Sequence, residues 1–341
     1  MNLFAGCVSV GAGVWSFILT GLVRNYATRR NIFDIPNPRS SHTMPKPRGG
    51  GLGLVLTFAV ALVLLVIGRL LEIKYAVIFL TSGGIVAAAG FLDDRYSLPA
   101  SARLGAQLLA ASLFVVFLGD AQQSWLAEVG FGYRPIGALC LLMALIWGTN
   151  LFNFMDGIDG IAGSEAVFVT GAGAWINSQH GDPGITAALL SLCAASGGFL
   201  VWNWPPARIF MGDVGSVFLG LMVSMLGLTA SMSASVPLQV WFILGGLFVL
   251  DATVTLLRRV LRGDRWFEAH RLHAYQQLAR RWNSHLLVTI VFIAIDLFWL
   301  LPWAWYAANT PTHATRSLAV ALIPLLLLVL AAGAGNRERT I

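Results

Sequence analysis

The stretch GALCLLMALIWGTNLFNFMDGIDG, residues 137–160, combines the two features that decide the fold of this chain. Its first half is an apolar run long enough to suggest a helix inside a membrane. Its second half carries two amides and two carboxylates, spaced by glycines: Asn150, Asn153, Asp156 and Asp159. Another apolar run follows directly. The stretch therefore predicts a membrane helix that ends in a polar segment available for chemistry.

Apolar runs recur along the whole chain of 341 residues, of which 57% are apolar and 11% charged, whereas a soluble domain carries about 25% charged residues. We count runs of the length that crosses a bilayer at 3–23, 51–70, 74–92, 103–119, 135–151, 160–178, 184–202, 214–232, 237–257, 286–306 and 317–334. Backbone polar groups in hydrocarbon must be satisfied internally, so these runs are predicted to be helices. The predicted fold is an all-α polytopic membrane protein with about eleven transmembrane helices, formed as one domain over residues 1–341.

The distribution of basic residues predicts the orientation of the helices, because Lys and Arg accumulate in cytoplasmic loops. With the N-terminus outside, only four of the 22 basic residues fall on the outer side: Arg69, Lys74, Arg134 and Arg316. The C-terminus is then cytoplasmic. The net charge of +6 follows from this topology and gives no reason to expect a nucleic-acid partner.

Five segments on the predicted cytoplasmic side are rich in polar residues, whereas the outer loops are short and carry no comparable motif. These segments lie near 33–51, 91–103, 150–160, 203–216 and 258–285. We expect the active site to form where they meet.

The aspartates of these segments each have a plain structural explanation as well. Asp93 and Asp94 follow an apolar run at a helix C-terminus, where the macrodipole disfavours anions, so capping does not explain them. An ordinary solvated loop, with Arg95 neutralising one charge, remains an alternative. Asp213 occupies a good N-cap position, and capping alone could account for it. A solvated turn could account for Asp156 and for Asp159.

Taken together, these five carboxylates favour a binding site. All lie at membrane boundaries on one side. Carboxylate oxygens suit Mg²⁺, which usually takes one or two of them plus substrate phosphates. The first and last cytoplasmic loops supply cations for phosphates. The pattern indicates phosphoryl or phosphosugar transfer between a soluble phosphorylated substrate and a phosphorylated lipid.

Three ionisable residues, Glu165, Asp251 and Asp296, are predicted inside the membrane, where such groups are costly and often functional. For Asp251 we favour a structural tether between helices; the sequence suggests no role for the other two. A multi-helix transporter of an anionic substrate is the alternative function. Transporters usually show inverted repeats and charges near the midplane, and no repeat is evident here.

The motifs NLFNFMDGIDGIAG, FLDD and RIFMGDVGS, followed by a histidine-containing last loop, resemble the polyprenyl-phosphate N-acetylhexosamine-1-phosphate transferases, glycosyltransferase family 4. The resemblance covers nearly the whole chain. It implies transfer of a HexNAc-1-phosphate from a UDP-sugar to undecaprenyl phosphate, with release of UMP. It also implies a multi-pass protein of the bacterial inner membrane that starts a lipid-linked glycan such as the O-antigen of lipopolysaccharide.

The same resemblance implies roles for individual residues. Asp93, Asp94, His270 and His273 match catalytic positions, and Asp213 and Asp156 match positions for Mg²⁺, for which Mn²⁺ can substitute. Phe210 matches an aromatic residue that stacks on uracil. The implied substrate-binding residues are Asn150, Asn153, Asp156, Asp159, Phe210, Asn37, Arg39, His42 and Arg271. A homodimer is also implied.

Two features bear on the sugar. The chain has HRLH where the peptidoglycan branch of the family has three consecutive histidines. The DIPNPRSSH…PRGGG loop matches the O-antigen type. Both point away from a muramyl-pentapeptide substrate and leave GlcNAc, GalNAc, FucNAc and QuiNAc open.

Overall fold

The computed structural model describes residues 3–36, 44–128, 134–233, 236–264 and 270–336. Within them the chain forms fourteen α-helices and a short antiparallel ribbon of two strands. The elements are, in chain order, α1 (Leu3–Arg29), β1 (Phe33–Asp34), β2 (Lys46–Pro47), α2 (Gly51–Ile67), α3 (Ile73–Tyr96), α4 (Ala100–Glu128), α5 (Arg134–Met155), α6 (Ile161–His180), α7 (Pro183–Asn203), α8 (Asp213–Ser233), α9 (Leu238–Leu244), α10 (Gly246–Leu261), α11 (Ala274–Trp282), α12 (His285–Ile295), α13 (Leu301–Asn309) and α14 (Ala314–Ala332). A π-helical turn, Asp296–Leu300, joins α12 to α13. The prediction of an all-α polytopic membrane protein is confirmed.

Eight helices in the described part of the chain are long and apolar enough to cross a membrane, or nine if α9 and α10, bent by 78°, form one broken span. Each of the predicted apolar runs coincides with one helix or with consecutive helices. Two of the predicted runs, α6 and α2, are single helices that are not among these eight. Helix α2 has only 17 residues. The number of spans and the orientation of the termini therefore stay predictions.

Helix α8 lies at the centre of the bundle and packs against α2, α3 and α5. Of the residues in its apolar stretch, 89% are buried. Glycines permit this close packing, as they do between other membrane helices. A Cβ on Gly220 of α8 would lie 2.4 Å from the carbonyl oxygen of Gly148 on α5. A Cβ on Gly90 of α3 would lie 2.5 Å from the carbonyl oxygen of Asp213. The start of α8 is thereby held against the end of α3.

The segment before α8 also binds the first loop. The backbone N–H of Phe210 donates to the carbonyl of Pro47, and its carbonyl accepts from Gly50, both at 2.9 Å; Gly51 N–H donates to Met211 at 2.9 Å. These bonds place β2 and the start of α2 beside the FMGD motif. Sequence segments separated by more than 150 residues therefore meet at one end of the bundle.

Two carboxyl groups lie deep inside the bundle. Glu165 on α6 and Asp296 in the π-helical turn are each 1% exposed, and their carboxyl groups lie close enough to interact electrostatically. Their contact links α6 to the α12–α13 helix.

Candidate active site

The carboxylate of Asp94 connects the end of α3 with the start of α8. Its oxygens accept hydrogen bonds from the backbone N–H groups of Asp213 (2.8 Å) and Val214 (3.2 Å). One of them also lies 2.7 Å from Nη2 of Arg48. Gly212, just before α8, has a φ of +75°, and a Cβ there would lie 2.4 Å from Oδ2 of Asp94. Only glycine permits this approach. Asp94 therefore caps α8.

This arrangement corrects the capping roles expected from the sequence. The sequence offered capping by Asp213 as the alternative to a binding role and excluded capping for Asp93 and Asp94. Asp94 does stand near the C-terminus of its own helix, but the fold places it at the N-terminus of another helix, where the macrodipole favours an anion. Asp213 is instead the first residue of α8.

Two arginines from other segments neutralise part of this acidic group. Nη2 of Arg48 lies 3.0 Å from Oδ1 of Asp213, so Arg48 bridges two carboxylates. Nη1 of Arg103, at the start of α4, lies 3.3 Å from Oδ2 of Asp93 and 4.0 Å from Oδ2 of Asp213. Arg95, the partner suggested by sequence proximity, is exposed and packs over a neighbouring ring. The aspartate pair is thus not an ordinary solvated loop.

Asp156, which follows α5, faces the same group. Burial raises the pKa of its carboxyl well above the ordinary range, and the nearby Asp213 carboxylate adds to the effect. With Asp93 and Asp94, four carboxylates face two guanidinium groups, which leaves about two negative charges uncompensated if all four ionise. A divalent cation that prefers oxygen ligands fits this donor set.

The described residues do not form a closed metal site. No three acidic, histidine or cysteine side chains among them converge closely enough to hold an ion alone. Such an open arrangement agrees with Mg²⁺, which usually completes its coordination with water and substrate phosphates. The assignment of Asp213 and Asp156 as metal ligands stays a prediction.

Asp159 connects three segments around the site. Its Oδ2 accepts hydrogen bonds from Nζ of Lys46 (3.1 Å) and from the backbone N–H of Ala207 (2.9 Å), and its Oδ1 lies 3.6 Å from Nδ1 of His285. Burial alone would raise the pKa of Asp159, but the contacts with His285, Ala207 and Lys46 outweigh it and hold the pKa at about 2. Nζ of Lys46 also lies 5.2 Å from the centre of the Phe210 ring. The ionised Asp159 thus positions the loop that carries Phe210.

The two amides of the opening motif contact different helices. Asn150 forms a reciprocal pair with Gln107 of α4, with Nδ2 of Asn150 2.7 Å from Oε1 of Gln107 and the return bond at 3.3 Å. Nδ2 of Asn153 donates to Oγ of Ser216 on α8 at 3.0 Å. The end of α5 is therefore held between α4 and α8.

Two cavities of different character meet at this acidic group. The smaller has a volume of 190 Å³ and a polar wall that includes Asp34, Arg48, Asp156, Asp159, Phe210 and His285. The larger has a volume of 920 Å³ and lies between α3, α4 and α5, with a mainly apolar wall that includes Val86, Leu104, Leu108, Met143, Ile146 and Trp147. Both are lined by Asn153, Gly157, Asp213 and Gln276. Asp213 therefore stands at the boundary between them.

The last predicted segment contributes two histidines to the larger cavity. The rings of His270 and His273 stack with their centres 4.9 Å apart, and both line its wall. Burial, followed by the effects of His273 and Arg259, lowers the pKa of His270 to about 3, so His270 is neutral near pH 7. Arg271 lines neither cavity, and its carbonyl accepts a hydrogen bond from Arg280.

The structure brings most of the predicted site residues together, in keeping with the sequence argument. They are Asp93, Asp94, Asn150, Asn153, Asp156, Asp159, Phe210, Asp213, His270 and His273. Asn37, Arg39 and His42 lie outside the described residues. Their predicted roles, like those of the other site residues, stay predictions.

Sequence reasoning missed several neighbours of the site. Arg48 and Arg103 lie in segments predicted to form the site, but the sequence assigned neither of them a partner or a role of its own. Gln107 is a polar residue inside an apolar run, a signal that could have marked it. His285 begins α12 after an N-cap serine, and nothing in its local sequence indicates contact with Asp159.

Comparison with known proteins relates this chain to transferases. The model of glycosyl transferase family 4 matches residues 75–231. The chain is 27% identical to decaprenyl-phosphate N-acetylglucosaminephosphotransferase of Mycolicibacterium smegmatis, over 95% of this chain and 87% of that protein. It is 29% identical to a probable undecaprenyl-phosphate N-acetylglucosaminyl 1-phosphate transferase of Bacillus subtilis, with coverages of 82% and 78%. It is 30% identical to phospho-N-acetylmuramoyl-pentapeptide-transferase of a Geobacillus species, with coverages of 75% and 82%.

The fold and the site define a polytopic helical membrane protein with an acidic centre between a polar cavity and an apolar cavity that lies between helices. The chain belongs to glycosyl transferase family 4. The prediction of the polyprenyl-phosphate N-acetylhexosamine-1-phosphate transferase superfamily is thereby confirmed. The O-antigen subtype stays a prediction.

Proposed function

We propose that this protein transfers an N-acetylhexosamine-1-phosphate from a UDP-sugar to undecaprenyl phosphate and releases UMP. The observation that carries the proposal is the junction of a polar and an apolar cavity at Asp213. The polar cavity suits a nucleotide diphosphate. The apolar cavity between membrane helices suits a polyprenyl chain whose phosphate reaches the junction. The names of the relatives, which pair a polyprenyl phosphate with N-acetylglucosamine, support the same reaction class.

The size of the small cavity bears on how the donor binds. Its 190 Å³ is less than the roughly 300–1,000 Å³ typical of small-molecule sites. We therefore place the nucleotide in the small cavity, against the ring of Phe210, and the diphosphate and sugar across the junction. Asn153 and Asp213, which line both cavities, would then adjoin the reacting phosphates.

The acceptor phosphate is assigned to the opposite side of the junction. Asp94 is already engaged by α8 and Arg48, so Asp93 is the better candidate to take a proton from the lipid phosphate. Arg103 lines the large cavity and can bind the incoming anion. The lipid phosphate then attacks the β-phosphorus of the donor, and UMP leaves. A two-step route would require phosphorylated Asp93 or Asp94, and trapping it during turnover would exclude single displacement.

We propose Mg²⁺ as cofactor, with Mn²⁺ able to replace it, held by Asp213 and Asp156. When bound, the ion would neutralise charge on the donor diphosphate. His270 and His273, on the wall of the larger cavity, would hydrogen-bond phosphate oxygens as charge develops on them.

The cellular setting follows from the same reasoning. The asymmetry of basic residues supports a bacterial inner-membrane protein with its site on the cytoplasmic face. The motif in the first loop supports an O-antigen or similar glycan over a muramyl-pentapeptide product. We propose a homodimer as its assembly.

The test is UMP release by the purified protein from UDP-GlcNAc, UDP-GalNAc and the UDP derivatives of FucNAc and QuiNAc, with and without undecaprenyl phosphate. We expect lipid-dependent UMP release with at least one donor, loss of release in EDTA, and recovery with Mg²⁺. Mass analysis of the lipid product identifies the sugar. Absence of lipid-dependent release with every donor would contradict the proposal and favour a transporter.

Phe210→Ala is expected to raise KM for the donor about 10-fold with little change in kcat, since stacking on a base contributes about 1–3 kcal/mol. Steady-state kinetics with a saturating lipid concentration measures both constants. Phe210→Tyr keeps an aromatic ring and serves as the control, with KM near that of the wild type. An unchanged KM in Phe210→Ala would remove the ring from the nucleotide site.

A further inference from the structure

Asp251 is a buried acidic residue of α10 with a full set of hydrogen-bond donors. Its side chain is inaccessible to solvent. It accepts hydrogen bonds from the backbone N–H groups of Ala274 (2.8 Å) and Tyr275 (3.0 Å) and from Oγ1 of Thr255 (3.1 Å). A charge in this position is costly unless it is hydrogen-bonded. The bonds tether the start of α11 to α10, as the sequence suggested.

The same carboxylate also faces a histidine of the site. Its Oδ1 lies 3.4 Å from Nδ1 of His273. His273 is the N-cap of α11, and its ring accepts a hydrogen bond from the backbone N–H of Gln276. Asp251 and the first turn of α11 therefore hold the ring of His273 from two sides.

The orientation of the His273 ring is fixed by its neighbours. The ring stacks on His270, on Phe154 at the end of α5 (6.3 Å between centres) and on Tyr275 (5.7 Å). The hydroxyl of Tyr275 donates to the carbonyl of Phe154 at 3.0 Å. His273 is 2% exposed and lines the larger cavity. These contacts hold the ring in one orientation at the cavity wall.

We propose that Asp251 is a positioning residue for the transfer reaction. It holds the start of α11, and with it the ring of His273, against the wall of the larger cavity, where the ring can contact a phosphate oxyanion. The inference rests on the proposed function, which supplies the oxyanion from either the donor diphosphate or the lipid phosphate.

The other ionisable groups around His273 do not replace Asp251. Arg259 opposes protonation of the neighbouring His270, whereas Asp251 and the more distant Asp264 favour it. Burial raises the pKa of Tyr275 well above its ordinary range, so its hydroxyl stays neutral. The groups that face the pair are Asp251 and Arg259 from α10, Asp264 after it, His270, Tyr275 from α11, and Asp156, which acts on Tyr275.

Asp251→Asn tests the inference with little change in side-chain volume. We expect kcat to fall about 10- to 100-fold, because an amide has a single acceptor oxygen for these donors and the start of α11 then holds the ring of His273 less firmly. Comparing KM for the UDP-sugar with KM for undecaprenyl phosphate shows which oxyanion His273 contacts. Thr255→Val is the matched control: it removes a hydrogen bond to the same carboxylate without touching His273, and its kcat should stay near that of the wild type.

A double-mutant cycle separates this role from a purely structural one. If Asp251 acts through His273, adding Asp251→Asn to His273→Gln should lower kcat no further. A wild-type kcat in Asp251→Asn, or fully multiplicative effects, would overturn the inference while wild-type UMP release upheld the proposed function. Absence of that release in the wild type would overturn both. If Asp251→Asn does not stay monodisperse in detergent, His273→Gln must still lower kcat, and wild-type turnover in that variant also refutes the inference.

Discussion

Asp213→Asn is expected to lower kcat about 100- to 1,000-fold, a loss typical of removing one group that stabilises charge in a transition state. Asp213 lines both cavities and contacts the guanidinium groups of Arg48 and Arg103. Its backbone N–H, which Asp94 caps, is unchanged by the substitution, so the variant should remain folded. Lipid-dependent UMP release across a Mg²⁺ series measures the effect, and thermal unfolding in detergent checks the fold.

Glu72→Gln is the matched control for this substitution. Glu72 is exposed, precedes α3 at the end opposite to Asp93, and pairs with Lys74 at 2.8 Å. Removing its charge should leave turnover unchanged. Wild-type turnover by Asp213→Asn at saturating Mg²⁺ would remove Asp213 from the site. Direct Mn²⁺ titration by electron paramagnetic resonance gives a second readout, in which the variant should bind the ion more weakly.

The adjacent aspartates should separate into two roles when each is replaced. Asp94→Asn is expected to lower both kcat and the free energy of unfolding, the latter by about 2–3 kcal/mol. The amide nitrogen of Asn cannot accept a hydrogen bond, so only one of the two N–H groups of α8 keeps its acceptor. The substitution also leaves Arg48 without one of its charged partners. Asp93→Asn should lower kcat strongly and stability much less, because the hydrogen bonds that Asp93 accepts from Leu98 N–H and Arg103 do not cap a second helix.

Paired measurements of UMP release and thermal unfolding distinguish the two variants. Equal loss of stability in both would contradict the assignment of Asp94 as the cap of α8. Near-normal turnover in both would remove the pair from the chemistry altogether. Asp182→Asn offers a reference, because Asp182 caps α7 through the backbone N–H groups of Gly184 and Ile185. It should lose stability without losing activity.

Hydropathy was enough to predict the helices, because the cost of unpaired backbone groups in lipid leaves an apolar run few other conformations. The broken pair α9 and α10 was predicted as one run, since its bend at Gly245 does not interrupt the apolar pattern. The site motifs were also recognisable from residue types and order. Their pairings were not: residue types and order do not show that Arg48 bridges Asp94 and Asp213 or that His285 lies beside Asp159, because these contacts join segments far apart in the chain.

The amino-acid sequence by itself determined that this protein is a helical membrane protein with acidic motifs at one set of helix ends, because hydropathy and residue chemistry are local properties. Only the tertiary structure decided which acid does what. Asp94 became a cap for α8, Asp159 an ionised link between loops, and Asp251 a partner of His273. Each role depends on the donors and charges that distant segments bring within about 3–4 Å, the range over which hydrogen bonds and ion pairs act.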